Sequence, residues 1–112
     1  MKVNIMRGDV YIMAEIRSES LDRLFNVILN LETVDECYKF FEDICTIKEV
    51  QDMGQRFDVA CLLDSGKNYQ DISKEVNVST ATISRVSRCL NYGSGGYKTA
   101  LSKLKPKGDD AP

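Results

Sequence analysis

The 112-residue sequence contains no histidine, only two prolines and only seven glycines. Histidine is the most frequent general base and metal ligand of enzymes, so its absence disfavours most hydrolytic and zinc chemistry. The scarcity of proline and glycine, with 43% hydrophobic and 29% charged residues, is typical of a folded globular protein and excludes a mainly disordered chain. A chain of this length buries about two-thirds of its unfolded surface, which is enough for one core.

The sequence also lacks an apolar run that approaches the roughly twenty residues of a membrane span. Arg7 and Asp9 interrupt the N-terminal segment, and its apolar run at 10–14 is too short for a signal peptide. No C-x-x-C pair occurs among the four cysteines, so we interpret them as small apolar residues with reduced thiols. These cysteines are Cys37, Cys45, Cys61 and Cys89. We therefore expect a cytoplasmic protein with no metal site and no membrane partner.

Charge is distributed unevenly along the chain, although the net charge is only −2. Residues 1–75 carry nine Lys or Arg against fifteen Asp or Glu, whereas residues 76–108 carry six Lys or Arg and no acid. A phosphate backbone would attract this acid-free segment and repel the rest, which would orient the protein on a nucleic acid. A solvated basic helix end and tail would have the same charge pattern, so charge alone leaves both interpretations open.

Helical periodicity dominates the chain after residue 15. Apolar residues recur at three- and four-residue steps between Ser18 and Leu31, which predicts an amphipathic helix. Thr33 and Thr46 are each followed three residues later by glutamate, a spacing that predicts two further helices with capping boxes. Residues 1–15 lack this periodicity and are predicted to form a flexible arm, although their apolar alternation would also suit a short strand. The fold class is predicted to be all-α.

Residues 69–91 have the pattern of a helix-turn-helix. Ile72 would face inward from the first helix, Val78 would fill the turn, and Ile83, Val86 and Leu90 would pack the second helix across it. Asn77 stands at the sharp turn, where asparagine tolerates the left-handed backbone conformation well. A glycine-rich stretch at 93–96 then precedes a last short helix predicted at 96–105, and residues 106–112 are predicted to be a disordered tail.

The packing of this motif leaves one side of the second helix free, with residues that suit the major groove of DNA. Small side chains permit close approach, threonine and alanine methyls contact the thymine methyl, and arginine binds guanine or phosphate. The candidate DNA-binding residues are Ser79, Thr80, Ala81, Thr82, Ser84, Arg85 and Arg88. A plain helical hairpin with a polar face remains the alternative, but core spacing, turn, cap and charge together favour double-stranded DNA as the partner.

Several segments resemble the trp repressor family, and most closely the short TrpR-related proteins of Gram-positive bacteria. They are Thr-Ile-Lys-Glu at 46–49, Met-Gly-Gln-Arg at 53–56, Leu-Leu at 62–63 and Ala-Thr-Ile-Ser-Arg at 81–85. The resemblance implies a six-helix trp repressor-like fold in an intertwined homodimer, within a single helical domain at 16–105 whose residues 16–65 dimerise. It also implies a transcriptional regulator, most simply a repressor, with two reading heads about one turn of DNA apart.

The same resemblance implies a small-molecule co-repressor site. The trp repressor places tryptophan between two arginines, which Arg56 and Arg85 match, and Thr46 and Thr82 match further pocket positions. Val86 stands where the repressor has glycine, and Cys89 where it has a serine that meets the ligand. These two departures argue against tryptophan itself as the ligand.

Two other classes of function are alternatives to a DNA-binding regulator. A helical dimerisation or adaptor protein would use the acidic first two-thirds of the chain as a protein-binding surface. An enzyme is not expected, because isolated carboxylates such as Asp64 and Asp71 have no partner base or nucleophile at a suitable spacing.

Overall fold

The computed structural model describes residues 3–5, 12–14 and 16–104. Its described part contains the six helices α1 Glu19–Leu29, α2 Val34–Ile44, α3 Ile47–Asp64, α4 Tyr69–Val76, α5 Thr80–Tyr92 and α6 Gly96–Lys103. Two three-residue strands, β1 Val3–Ile5 and β2 Ile12–Ala14, pair antiparallel with Val3 opposite Ala14. The predicted all-α class is confirmed, with this hairpin as an addition at the N-terminus.

The predicted arm at 1–15 contains this hairpin, and its flexibility stays a prediction. The predicted last helix at 96–105 ends at Lys103, while the predicted tail at 106–112 lies outside the described residues.

Side-chain caps explain where the helices begin. The hydroxyl of Thr33 accepts a hydrogen bond from the backbone N–H of Glu36 at 3.0 Å, and the Glu36 carboxylate accepts one from the N–H of Glu32 at 2.8 Å. Ser18 caps α1 in the same way at 3.0 Å, and Asn68 caps α4 at 2.9 Å. These bonds satisfy N–H groups that have no partner inside the helix, so they fix each helix start.

The chain divides into two compact units, the first at 1–46 and the second at 47–112. In the first unit, α1 and α2 are amphipathic, yet neither contains a buried residue. Phe25 is 49% exposed, Leu29 79% and Tyr38 62%, which is unusual for large apolar side chains of a globular protein.

In the second unit, α3 packs against α4, α5 and α6, and α5 packs against α4 and α6. The core of this unit consists of the buried side chains Val59, Ala60, Ile72, Ile83 and Val86. Half-buried apolar residues surround it, namely Leu62, Leu63, Val76, Val78 and Tyr97. The second unit therefore has a hydrophobic core of its own, which α3, α4 and α5 form and against which Tyr97 of α6 packs.

The sequence pattern predicts that the four cysteines are small apolar residues with reduced thiols. All four are free thiols and half-buried, less enclosed than the core residues that the pattern suggested. The described residues include no group of three or more metal-ligating side chains. None of the described helices combines the length and the apolar character that crossing a membrane requires.

Candidate nucleic-acid interface

The turn between α4 and α5 has the geometry that its sequence predicted. Asn77 adopts a left-handed conformation with φ 62° and ψ 52°, and its N–H donates to the carbonyl of Ser73 at 2.9 Å. The Ser73 hydroxyl donates to the carbonyl of Val78 at 2.6 Å, which ties α4 to the residue after the bend. Val78 is half-buried against the core, so it fills the turn as expected.

The inward side of the motif is confirmed residue by residue. Ile72 on α4 and Ile83 on α5 are fully buried, Val86 is 2% exposed, and Leu90 is also buried. The three α5 side chains recur at three- and four-residue steps and form one stripe that packs on α3 and α4. The opposite side of α5 consequently faces away from the core.

That outward side carries the predicted DNA-binding residues. Those that are exposed are Ser79, Thr80, Ala81, Ser84, Arg85 and Arg88, whereas Thr82 is half-buried beside the turn. The Ser79 hydroxyl accepts from the N–H of Thr82 at 3.2 Å and donates to the Thr82 hydroxyl at 3.3 Å. Ser79 thus caps α5, and its hydroxyl is engaged with Thr82, while Thr80 and Ala81 are open at the first turn.

The electrostatics of this side favour an anionic partner. No acidic residue occurs between residues 76 and 104, and Arg85, Arg88, Lys98 and Lys103 are all exposed. Within the described part of the chain, neither Arg85 nor Arg88 forms an ion pair, so both guanidinium groups are available to phosphate or guanine. The described ion pairs lie where acids are frequent, such as that of Lys67, in the connection before α4, with Glu75 at 2.8 Å.

A cleft of about 330 Å³ lies between α3 and the start of α5. Its lining residues are Lys48, Asp52, Gln55, Arg56, Asn77, Val78, Ser79 and Thr82. The cleft brings together Arg56 and Thr82, two of the four candidate ligand-binding residues. Arg85 is not among its lining residues, and Thr46 belongs to the other compact unit.

Sequence reasoning missed the polar wall of this cleft. Lys48, Asp52 and Gln55 follow one another on α3 at four- and three-residue steps, on the same face as Arg56. The Lys48 ammonium donates to the Asp52 carboxylate at 2.9 Å. Helical spacing of charged residues is common on solvated helix faces, so no sequence signal distinguished these residues.

The structure also shows what surrounds the two residues that depart from the trp repressor pattern. Val86 belongs to the core, against which Tyr97 of α6 packs, and Cys89 is half-buried. Burial raises the pKa of the Tyr97 hydroxyl, and the nearby positive charge of Arg56 opposes this shift. Sequence reasoning did not single out Tyr97, because its helix has a weak periodic pattern.

The chain is similar in sequence and in structure to known proteins. The sequence profile described as "Trp repressor protein" matches residues 19–105. The protein YerC of Bacillus subtilis (strain 168) is 52% identical over 91 residues, which cover 81% of this chain and 88% of that protein. A solved structure described as a TrpR-like protein, from Eubacterium eligens, has 45% identity and a TM-score of 0.75 over 80% of this chain and 96% of its own.

A second solved structure, described as a candidate Trp repressor, comes from Staphylococcus aureus. It also has 45% identity and a TM-score of 0.75, and it covers 79% of this chain and 88% of its own. Sequence and structural similarity therefore extend across both compact units.

Proposed function

The chain belongs to the Trp repressor protein family, and from this premise we propose that it is a homodimeric, sequence-specific DNA-binding repressor of the cytoplasm. In this proposal α5 is the recognition helix and enters the major groove. Proteins of this family are regulators and not enzymes, in agreement with the expectation from the sequence.

The observation that carries the proposal is the outward side of α5. Exposed hydroxyl, methyl and guanidinium groups lie together there, on a helix whose other side is locked into the core through Ile83 and Val86. A rigid helix that presents short side chains first and arginines later matches the way helix-turn-helix proteins read base edges. Arg85 is the candidate for guanine or phosphate, and Thr80 and Ala81 are the candidates for thymine methyl contact.

Dimerisation is the second part of the proposal, and it is supported by the first unit. The apolar sides of α1 and α2 are exposed in a single chain, and a second copy of the chain would cover them. A symmetric dimer would present α5 twice, which matches an operator of two half-sites.

A binding site for a small-molecule effector is a separate part of this proposal. Arg56 and Thr82 remain candidate ligand-binding residues because they line one cleft next to α5. Tryptophan is not part of the proposal, since Val86 is packed in the core where the family pattern has glycine.

Selection of bound fragments from randomised duplex, followed by fluorescence anisotropy on the selected operator, tests the proposal. Affinity should fall at least tenfold between about 50 and 200 mM salt, because several phosphate contacts release counterions. Replacing Arg85 or Arg88 by alanine should weaken operator binding by about 1–3 kcal/mol each. The matched control is Lys39→Ala, which removes the same charge from α2 and should have little effect.

Parental affinity in both arginine variants would show that α5 does not read DNA. If the parent chain selected no duplex at all, the proposed function would be wrong, and the adaptor interpretation would be favoured.

A further inference from the structure

Tyr97 connects the recognition helix to the rest of the second unit. It is the second residue of α6, is half-buried and packs against the core that α3, α4 and α5 form. Its helix contacts both α3 and α5, and Leu101 is the other half-buried residue of α6. Among the described residues of α6, Tyr97 is therefore the one whose ring packs on this core.

The connection that leads to Tyr97 is sterically defined. Gly93 follows α5, and a Cβ atom at this position would lie 2.4 Å from the carbonyl oxygen of Cys89. The chain thus turns closely over the last turn of α5, and Gly95 in a left-handed conformation with φ 96° directs it into α6. This close turn sets where α6 begins, and with it the position of Tyr97.

The contacts of α6 with α3 and α5 identify the two helices that the ring joins. Burial raises the pKa of the Tyr97 hydroxyl, and the positive charge of Arg56 on α3 opposes this shift. The phenol is consequently neutral at physiological pH. Two α5 residues, Ile83 and Val86, hold the helix on the core, and Tyr97 adds a contact beyond them.

We propose that Tyr97 is a positioning residue that sets the recognition helix on α3 from within the chain. This inference rests on the proposed function, because it concerns the orientation of α5 toward DNA. Base contacts carry the sequence information of a site, whereas phosphate contacts carry none directly and are available on any duplex. Loss of the ring should therefore reduce specific binding far more than non-specific binding.

The experiment measures the affinities of parent and variants for the selected operator and for a random duplex of equal length. Tyr97→Ala should lower operator affinity at least tenfold and leave random-duplex affinity within about twofold, while Tyr97→Phe should keep the parental ratio of the two. Partial unfolding lowers both affinities in the same proportion, so their ratio isolates positioning from stability. Leu101→Ala is the matched control on α6, and its ratio should be parental.

If the circular dichroism of Tyr97→Ala shows less helix than the parent, Tyr97→Leu replaces it, because leucine keeps apolar volume without a ring. The same ratio of operator affinity to random-duplex affinity is then measured for Tyr97→Leu. An unchanged ratio in the folded variant would overturn the inference while leaving the proposed function intact. A parent chain that binds no duplex would instead remove the proposed function, and the inference with it.

Discussion

The two compact units contain helices of similar amphipathic pattern but differ in what happens to their apolar residues. In the second unit, Ile72 and Ile83 are fully buried because α4 and α5 find apolar partners within the same chain. In the first unit, Phe25 and Tyr38 stay largely exposed, and α1 and α2 contain no buried residue. An apolar stripe therefore indicates which side of a helix is to be covered, and it does not indicate which chain covers it.

The largest effect that we expect tests the exposed unit. Phe25→Glu should dissociate the proposed homodimer and cost about 3–5 kcal/mol, because it places an unpaired carboxylate in an apolar interface. Asn26→Glu, on the polar side of the same helix, adds the same charge and should change stability by less than about 0.5 kcal/mol. Sedimentation equilibrium and the dependence of Tm on protein concentration measure both variants.

A parent chain that is monomeric at micromolar concentration would contradict this prediction. Equal effects of the two substitutions would contradict it as well, because the apolar side of α1 would then not be an interface.

The next effect lies in the core of the second unit. Ile83→Ala removes a side chain that is 0% exposed and should destabilise the protein by about 2–4 kcal/mol through lost burial and a residual cavity. Thr80→Ala on the exposed side of the same helix is the control and should be nearly neutral. Urea unfolding followed by circular dichroism gives both values. A loss below about 1 kcal/mol for Ile83→Ala would mean that the core relaxes far more than close packing allows.

The helix-turn-helix could be predicted from the sequence because its determinants are close together along the chain. The cap at Ser79, the left-handed turn at Asn77 and the inward Ile83 all act within a few residues of one another. The position of Tyr97 could not be predicted, since it depends on how α6 packs against α3, about forty positions earlier in the chain.

The residues that line the cleft between α3 and α5 were only partly predictable. Arg56 and Thr82 were identified as candidates through family resemblance, and the structure places both on its wall. Lys48 and Asp52 were missed, because a salt bridge between exposed helix residues has no distinctive sequence pattern.

A smaller effect concerns the connection between α5 and α6, through which α6 reaches the core of the second unit. Gly93→Ala brings a methyl group against the Cys89 carbonyl at a distance that real contacts do not reach, so the backbone must shift. We expect a destabilisation of about 1–3 kcal/mol, measured as a shift of the urea midpoint. Ala100→Gly on α6 is a useful comparison, because it tests helix propensity alone and should cost about 1 kcal/mol or less. An unchanged midpoint for Gly93→Ala would show that α6 does not depend on this close turn.

The smallest effect that we expect concerns the turn between α4 and α5. Asn77 has a φ of 62°, a conformation that costs an alanine roughly 1–2 kcal/mol and a glycine essentially nothing. Asn77→Ala should therefore lower the free energy of unfolding by about 1 kcal/mol, and Asn77→Gly should change it by less than about 0.5 kcal/mol. Because both variants remove the same amide, any difference between them reports the backbone conformation and not a lost side-chain contact. If the two variants were equally stable, the left-handed turn would not be what holds α4 and α5 at their angle, and the packing of Val78 would have to do so alone.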